Sequence, residues 1–409
     1  MRRLKKSVKI SIVIICGILV FMILLMIKPN NKMIDLSTKD VVEIKNYAQK
    51  HKLDLEVVER YDNDVIAGQL ISQSIEIGNK INSGDKLVVY ISLGKIDKDV
   101  YKEYGVNELG RVPIMMYHGI QNIENTSYIG GNIDKDGYHR TSKAFRQDLE
   151  FYYKEGYRMI KLSDYVNGKI DVPLGKSPIV LTFDDGLSNN ILVTGLDENG
   201  DIIIDPNSAV GIMESFKEKY PDYNVTATFF LNGGLFNQPE YNEKIINWLV
   251  DHGYSIANHS YSHADFSTTS QEKTMEEIGK MYNILDNIIP NRYEKIVALP
   301  YGSPYVESAS SFPYILNGEF SNKQYNTVST LRVGWESELS PFHKSFNKTF
   351  LKRIRAYDNN GQDFDIEMNF KMLKSTRYIS DGDFKTIVIP EKYSNNLNNE
   401  NNHQVITYW

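Results

Sequence analysis

Two carboxylates, Asp184 and Asp185, stand side by side where the apolar run "PIVLTF" gives way to Asp-Asp-Gly. Ionised neighbours repel, so the pair needs a reason. A turn supplies one, since Asp-Gly is a favoured hairpin dipeptide. A division of labour supplies another: one carboxylate holds a metal while the other moves a proton. A second group, "IANHSYSHADF", sets His259 and His263 four residues apart after an apolar segment. On a helix that spacing turns both imidazoles to one face, able to share a metal, although two histidines are also ordinary structural residues. A third group, "VALPYGSP", again ends an apolar run, in Pro300-Tyr301-Gly302.

All three sit at the carboxyl ends of predicted strands, the edge on which α/β barrels build active sites. From Val112 onward the chain alternates strand and helix. "VPIMMYH", "PIVLTF", "VTATFFL", "YSIAN" and "KIVALP" read as strands, and "SQEKTMEEIGKMYNILDNII" is the clearest helix between them. Thr141 is the expected N-cap of a helix over "TSKAFRQDLEFYYKEG". That alternation predicts a parallel barrel or a doubly wound sheet. Neither G-x-G-x-x-G nor G-x-x-x-x-G-K-[ST] occurs. "ILVTGLDENGDIIIDPNS" reads as a hairpin turning at Asn199-Gly200, placed to overhang the site. Its acids lack the spacing of a calcium loop and read as a solvated turn.

Residues 112–390 resemble a polysaccharide deacetylase domain of the NodB-homology group, carbohydrate esterase family 4. Thr182–Gly186 matches its Thr-Phe-Asp-Asp-Gly motif and His259–His263 its His-Ser/Thr-x-x-His motif. "VPIMMYHGI", "FRQDLEFYYKEGYRMIKLSD" and "TATFFLNG" look like the branch acting on poly-N-acetylglucosamine. The resemblance implies a deformed (β/α) barrel and a divalent ion, zinc first, with cobalt, nickel or manganese as alternatives. By the family's assignments Asp185, His259 and His263 are metal ligands, Asp184 is the general base, and the Tyr301 N–H steadies the oxyanion. His343 in "SPFHKSF" is the nearest offer for the family's late acid histidine, a surface histidine being the plain alternative. The family's third motif often carries an Arg where this chain has Ala298. Arg353, in "FLKRIRAYD", is the candidate replacement, and a solvated basic turn the alternative. The implied activity is N-deacetylation, with acetate release, of peptidoglycan GlcNAc or MurNAc or of poly-N-acetylglucosamine. A weakened wall-binding protein and a polysaccharide O-acetyl esterase are the rivals.

Ahead of that region, residues 34–94 read as a small α+β unit. The helix "TKDVVEIKNYAQKHKL" precedes strands "LEVVERY", "GQLISQS" and "KLVVYIS". "GQLISQSIEIGNKINSGDKLVVYISLG" resembles a PASTA domain, with Ile75 where that family usually has Pro, and implies proximity to peptidoglycan. Residues 95–111 are expected as a charged linker and 391–409 as a polar C-terminal tail. Residues 10–28 contain an uncharged stretch about one bilayer core long. Residues 1–9 before it are basic, which predicts a single-pass signal-anchor with the body extracytoplasmic. Cys16 falls inside that segment, so the exported part has no cysteine to form a disulfide. Residues 1–34 hold seven basic groups and no acid; of the chain's 46 basic groups 39 remain against 52 acidic, a body at -13. Such a body excludes nucleic acid as partner, whose binding needs Lys and Arg on phosphates.

Overall fold

A computed structural model describes residues 31–124, 126–398 and 403–409. The expected anchor over 10–28 lies outside them. No helix of the described residues is long and apolar enough to cross a membrane. The chain divides into two compact units, one ending at Asp97 and the other running Lys98–Trp409.

In the first unit, helix α1 (Val41–His51) starts at a capping box in which Asp40 and Glu43 satisfy each other's backbone N–H. Strands β1 (Asp54–Arg60), β2 (Leu70–Gln73) and β3 (Lys86–Ser92) pair in the order β1–β3–β2. Strand β3 alternates, burying Leu87, Val89 and Ile91 in one cluster with Ile44 of α1.

The second unit is built on parallel strands: β4 (Ile114–Tyr117), β5 (Tyr157–Met159), β6 (Ser177–Phe183), β7 (Thr228–Leu231), β8 (Ser255–Asn258), β9 (Ile296–Ala298), β10 (Ser329–Leu331), β11 (Phe350–Leu351) and β12 (Ile354–Arg355). Their order is β11–β10–β9–β8–β7–β6–β4–β12, with β5 also on β6. The two end strands, β11 and β12, are separated in sequence only by Lys352 and Arg353. Consecutive Cα atoms are 3.80 Å apart, so the sheet must roll until its edges nearly meet. The result is a deformed barrel, closed by a link that contains Arg353.

Alternation along the strands assigns the two faces. In β6, Ile179, Leu181 and Phe183 pack outward into the cluster formed with the surrounding helices. Val180 joins the interior cluster with Phe230, Ala257, Ala298 and Leu331. Period two continues the inward row through Thr182 to Asp184. The sequence thus delivers one of the paired acids to the mouth of a buried interior.

Three expectations differ from the observed chain. From Lys98 the stretch expected as linker is a helix (Lys98–Tyr104), and Tyr101, Val106, Glu108 and Leu109 are buried in the second unit. The C-terminal stretch expected as a polar tail ends in a strand, Gln404–Tyr408, parallel to Thr386–Pro390; it buries Ile406 and Tyr408. Alternation in "QVITY" was masked by the Asn-rich run before it. The hairpin exists, with strands Val193–Leu196 and Ile202–Ile204. At its tip, however, the Gly200 carbonyl accepts from Lys244 on the helix Asn242–Asp251, so the tip leans on that helix.

Candidate active site

The groups singled out in the sequence meet at the carboxyl edge of the rolled sheet. Asp185 follows β6, His259 and His263 follow β8, Tyr301 follows β9, and Arg353 lies in the closing link. The nearest ligand atoms of Asp185, His259 and His263 lie within 4.8 Å of one another. Asp185 Oδ1 is 3.2 Å from His259 Nε2 and 3.3 Å from His263 Nε2. Ligands about 2.1 Å from a tetrahedral ion stand about 3.4 Å apart, so the set fits a divalent metal. The tautomer agrees. His259 Nδ1 is 2.8 Å from the Ala298 carbonyl, which can only accept, so Nδ1 carries the hydrogen and Nε2 faces Asp185 with its lone pair.

The His-Ser-x-x-His segment is not helical. Ser260 and His263 have positive φ values of 61° and 57°, and Asp185 and Tyr301 have 73° and 58°. Four non-glycine residues in the left-handed region at one site mark a backbone held by its surroundings. The holding groups are visible. Asn258 accepts the Ser260 N–H and donates to the Ile278 carbonyl. Buried Glu277 takes the Ser262 N–H and hydroxyl, both at 2.7 Å. Behind Asp185, Gly186 has φ 58°, and a Cβ there would lie 2.1 Å from the Leu235 carbonyl oxygen.

Asp184 is buried and clamped. Arg353 Nη1 and Nη2 donate to Asp184 Oδ1 and Oδ2, each at 2.7 Å. Arg353 is itself wholly buried; its Nε donates to the Arg332 carbonyl and its Nη1 also reaches Thr182 Oγ1. Burial would raise the Asp184 carboxyl, but Arg353 and then His259 outweigh it and hold it below its ordinary value. The small buried Ala298 stands in the same interior cluster. Asp185 is likewise lowered: burial opposes the charge, and the surrounding imidazoles of His259, His118 and His263 outweigh it.

Tyr301 is exposed, with its ring edge-on to His263 at 4.6 Å. Its backbone N–H donates to no protein group among the described residues, which leaves it open to a ligand. The structure does not bring His343 to this group. His343 sits in a turn bridged to Leu397, its Nδ1 accepts the Ser345 N–H, and its charged neighbours are Lys344 and Arg111. Another imidazole is there instead. His118, directly after β4, has Nε2 4.0 Å from Asp185 Oδ2. Burial, with Arg353 and His259 adding to it, pushes His118 down to about 4 against the pull of the two aspartates.

Residues 171–312 match the family model described as polysaccharide deacetylase, and residues 31–93 match the PASTA domain. The chain carries a polysaccharide deacetylase domain and a PASTA domain. A peptidoglycan-N-acetylglucosamine deacetylase of Bacillus cereus is 29% identical over 130 residues, 32% of this chain. The chain spans only 38% of that relative's length. Among solved structures, a Streptococcus pyogenes deacetylase in complex with acetate aligns with 61% of this chain and 93% of its own. Its identity is 18% and its TM-score 0.44. A Bacillus cereus polysaccharide deacetylase aligns with 64% of this chain and 68% of its own, at 18% identity and TM-score 0.44.

Within the deacetylase domain, sequence reasoning missed His118 and Glu277. The first was in view as the end of "VPIMMYH", but no second ligand-type residue stood near it. Glu277 lies on the helix Gln271–Ile288, where an acid spaced four from Lys273 reads as a solvated ion pair.

Proposed function

We propose that the chain is a metal-dependent N-deacetylase of an N-acetylated cell-wall glycan, releasing acetate. The observation that carries this is the Asp185–His259–His263 group beside a separate buried aspartate that Arg353 holds ionised. A structural metal site has no use for that second carboxylate. The bound divalent ion, zinc by its nitrogen and oxygen donors, would polarise the acetyl carbonyl and make water nucleophilic near neutral pH.

The remaining work belongs to the protein. Asp184, fixed by two guanidinium hydrogen bonds, takes the proton from the attacking water. The free Tyr301 N–H points a donor at the oxygen on which negative charge develops. His118, the imidazole beyond the ligand set, stands beside Asp185 where His343 does not; kept neutral by burial, it would relay to the departing nitrogen the proton that Asp184 takes from the water. The PASTA domain supports peptidoglycan as the surrounding polymer, and the basic and apolar N-terminus supports a membrane anchor with this domain outside the cell.

Acetate released from an N-acetylglucosamine oligomer and from an O-acetylated xylan tests the reading. Release from the first that stops on chelation and returns with zinc is expected. Release from the O-acetyl substrate alone would make the protein an esterase, and none from either would leave a wall-binding protein.

A further inference from the structure

The strand that follows Arg353 continues to Arg355, and beside Arg355 lies a groove of about 620 Å³. None of the candidate catalytic side chains lines it. Its walls come from two loops, around Tyr128–Asp136 and Tyr357–Phe364, together with Trp335. Trp335 is 56% exposed, Tyr128 46% and Phe364 40%, so three aromatic rings face water around one hollow. Isolated exposed rings are ordinary; rings grouped about a concavity mark a binding groove.

The groove joins the candidate active site. The Arg355 guanidinium lies 4.0 Å from the Tyr357 ring centroid and 5.3 Å from that of Tyr138. Tyr138 meets His118 edge-on at 5.0 Å, and His118 adjoins Asp185. Arg355 is half-buried, and among the described residues its guanidinium contacts are these two rings, without a carboxylate. Two of the groove's acids are hydrogen-bonded within the protein, and Lys135 and Asp136 also line it. Asp358 Oδ2 receives Arg140 Nη1 at 3.2 Å and the Gly131 N–H at 2.9 Å, and Asp363 receives the Asn359 amide. Asp136 sits on the turn organised by Asp134.

We propose that this groove is a saccharide subsite that holds the sugar next to the one being deacetylated and reads a carboxylate on it through Arg355. The proposal rests on the deacetylase reading above and deepens it. Aromatic rings offer flat faces to the C–H faces of a pyranose, and a planar guanidinium that stacks on rings but is paired with no carboxylate among the described residues matches a carboxylate in bidentate geometry. The volume lies within the range of small-ligand sites, about 300–1,000 Å³. The favoured polymer is therefore one in which a carboxylate-bearing sugar adjoins an N-acetylated one, rather than a neutral homopolymer.

Two soluble probes test this on the full chain: a neutral N-acetylglucosamine oligomer, and a glycan fragment whose alternate sugars carry a carboxylate. Arg355→Gln should lower kcat/KM on the acidic fragment about 10- to 100-fold, the loss of one charged contact. It should leave the neutral oligomer within about twofold. Tyr128→Ala, a change at an exposed ring, should raise KM for both fragments and leave kcat on a short acetylated sugar unaltered. Equal losses on both fragments from Arg355→Gln, or no loss on the acidic one, would overturn the subsite. If the wild-type chain releases acetate from neither, the deacetylase reading fails by itself. Calorimetric titration of the two fragments into wild type and Arg355→Gln then decides the groove: tighter binding of the acidic fragment, lost in the variant, supports it, and equal binding refutes it.

Discussion

Arg353→Lys keeps a positive charge beside Asp184 and removes the geometry. In the native site each carboxylate oxygen receives its own N–H at 2.7 Å, and the guanidinium is anchored behind by the Arg332 carbonyl and Thr182. An ammonium on a flexible stem cannot reproduce that fork. Losing one of two charged hydrogen bonds costs about 1.5–3 kcal/mol. At 1.36 kcal/mol per pKa unit this raises the Asp184 pKa by about one to two units. In its proposed role as proton acceptor Asp184 must be ionised, so activity should be lost as pH falls through its folded-state pKa. The acidic limb of the pH–rate profile should therefore move up by about one to two units. A rate loss of about tenfold should persist above it, because the carboxylate is no longer aimed. Metal content should stay at the wild-type level, since Arg353 touches none of Asp185, His259 and His263. Stability carries the same sign. A depressed carboxylate pKa contributes stability that is present above its unfolded value and lost on acidification through its folded one. The melting difference between wild type and Arg353→Lys should therefore shrink in acid. Acetate release across pH, with elemental analysis of the same samples, is the assay. An unmoved acidic limb in a fully metallated variant would refute the reasoning.

Other perturbations probe the supporting parts. Glu277→Gln removes the charge that holds the Ser262 N–H and hydroxyl, and should weaken zinc binding about 10- to 100-fold, read by competition with a chelating dye. His118→Asn should keep the metal and slow amide substrates by about two to four decades. It should spare an activated aryl acetate, whose leaving group needs no proton; equal loss on both would remove His118 from proton transfer. Gly186→Ala combines φ 58° with a Cβ 2.1 Å from the Leu235 carbonyl, so melting temperature and metal content should both fall.

Much of the site is legible because it is local. Asp184 and Asp185 share a turn, His259 and His263 share a loop, and each follows an apolar run whose strand character the structure repeats. Arg353 is legible only through resemblance. Its distance from Asp184 in sequence is closed by the rolling of the sheet, which no local pattern encodes. His118 is hidden for a similar reason, since its partners arrive from β6 and β8. The helical face suggested for His259 and His263 gives way to a loop, because Asn258 and Glu277 satisfy its backbone instead. The Asn-rich run before Gln404 concealed a strand of five residues, too short for its alternation to outweigh the composition around it.

The proposed division of roles between the two adjacent aspartates is read out by metal content measured beside acetate release in Asp184→Asn and Asp185→Asn. Asp185→Asn should lose both the ion and the activity. Asp184→Asn should retain one divalent ion per chain and lose about two to four decades of rate. An Asp184→Asn protein that loses its metal, or an Asp185→Asn protein that keeps both metal and rate, would contradict the account.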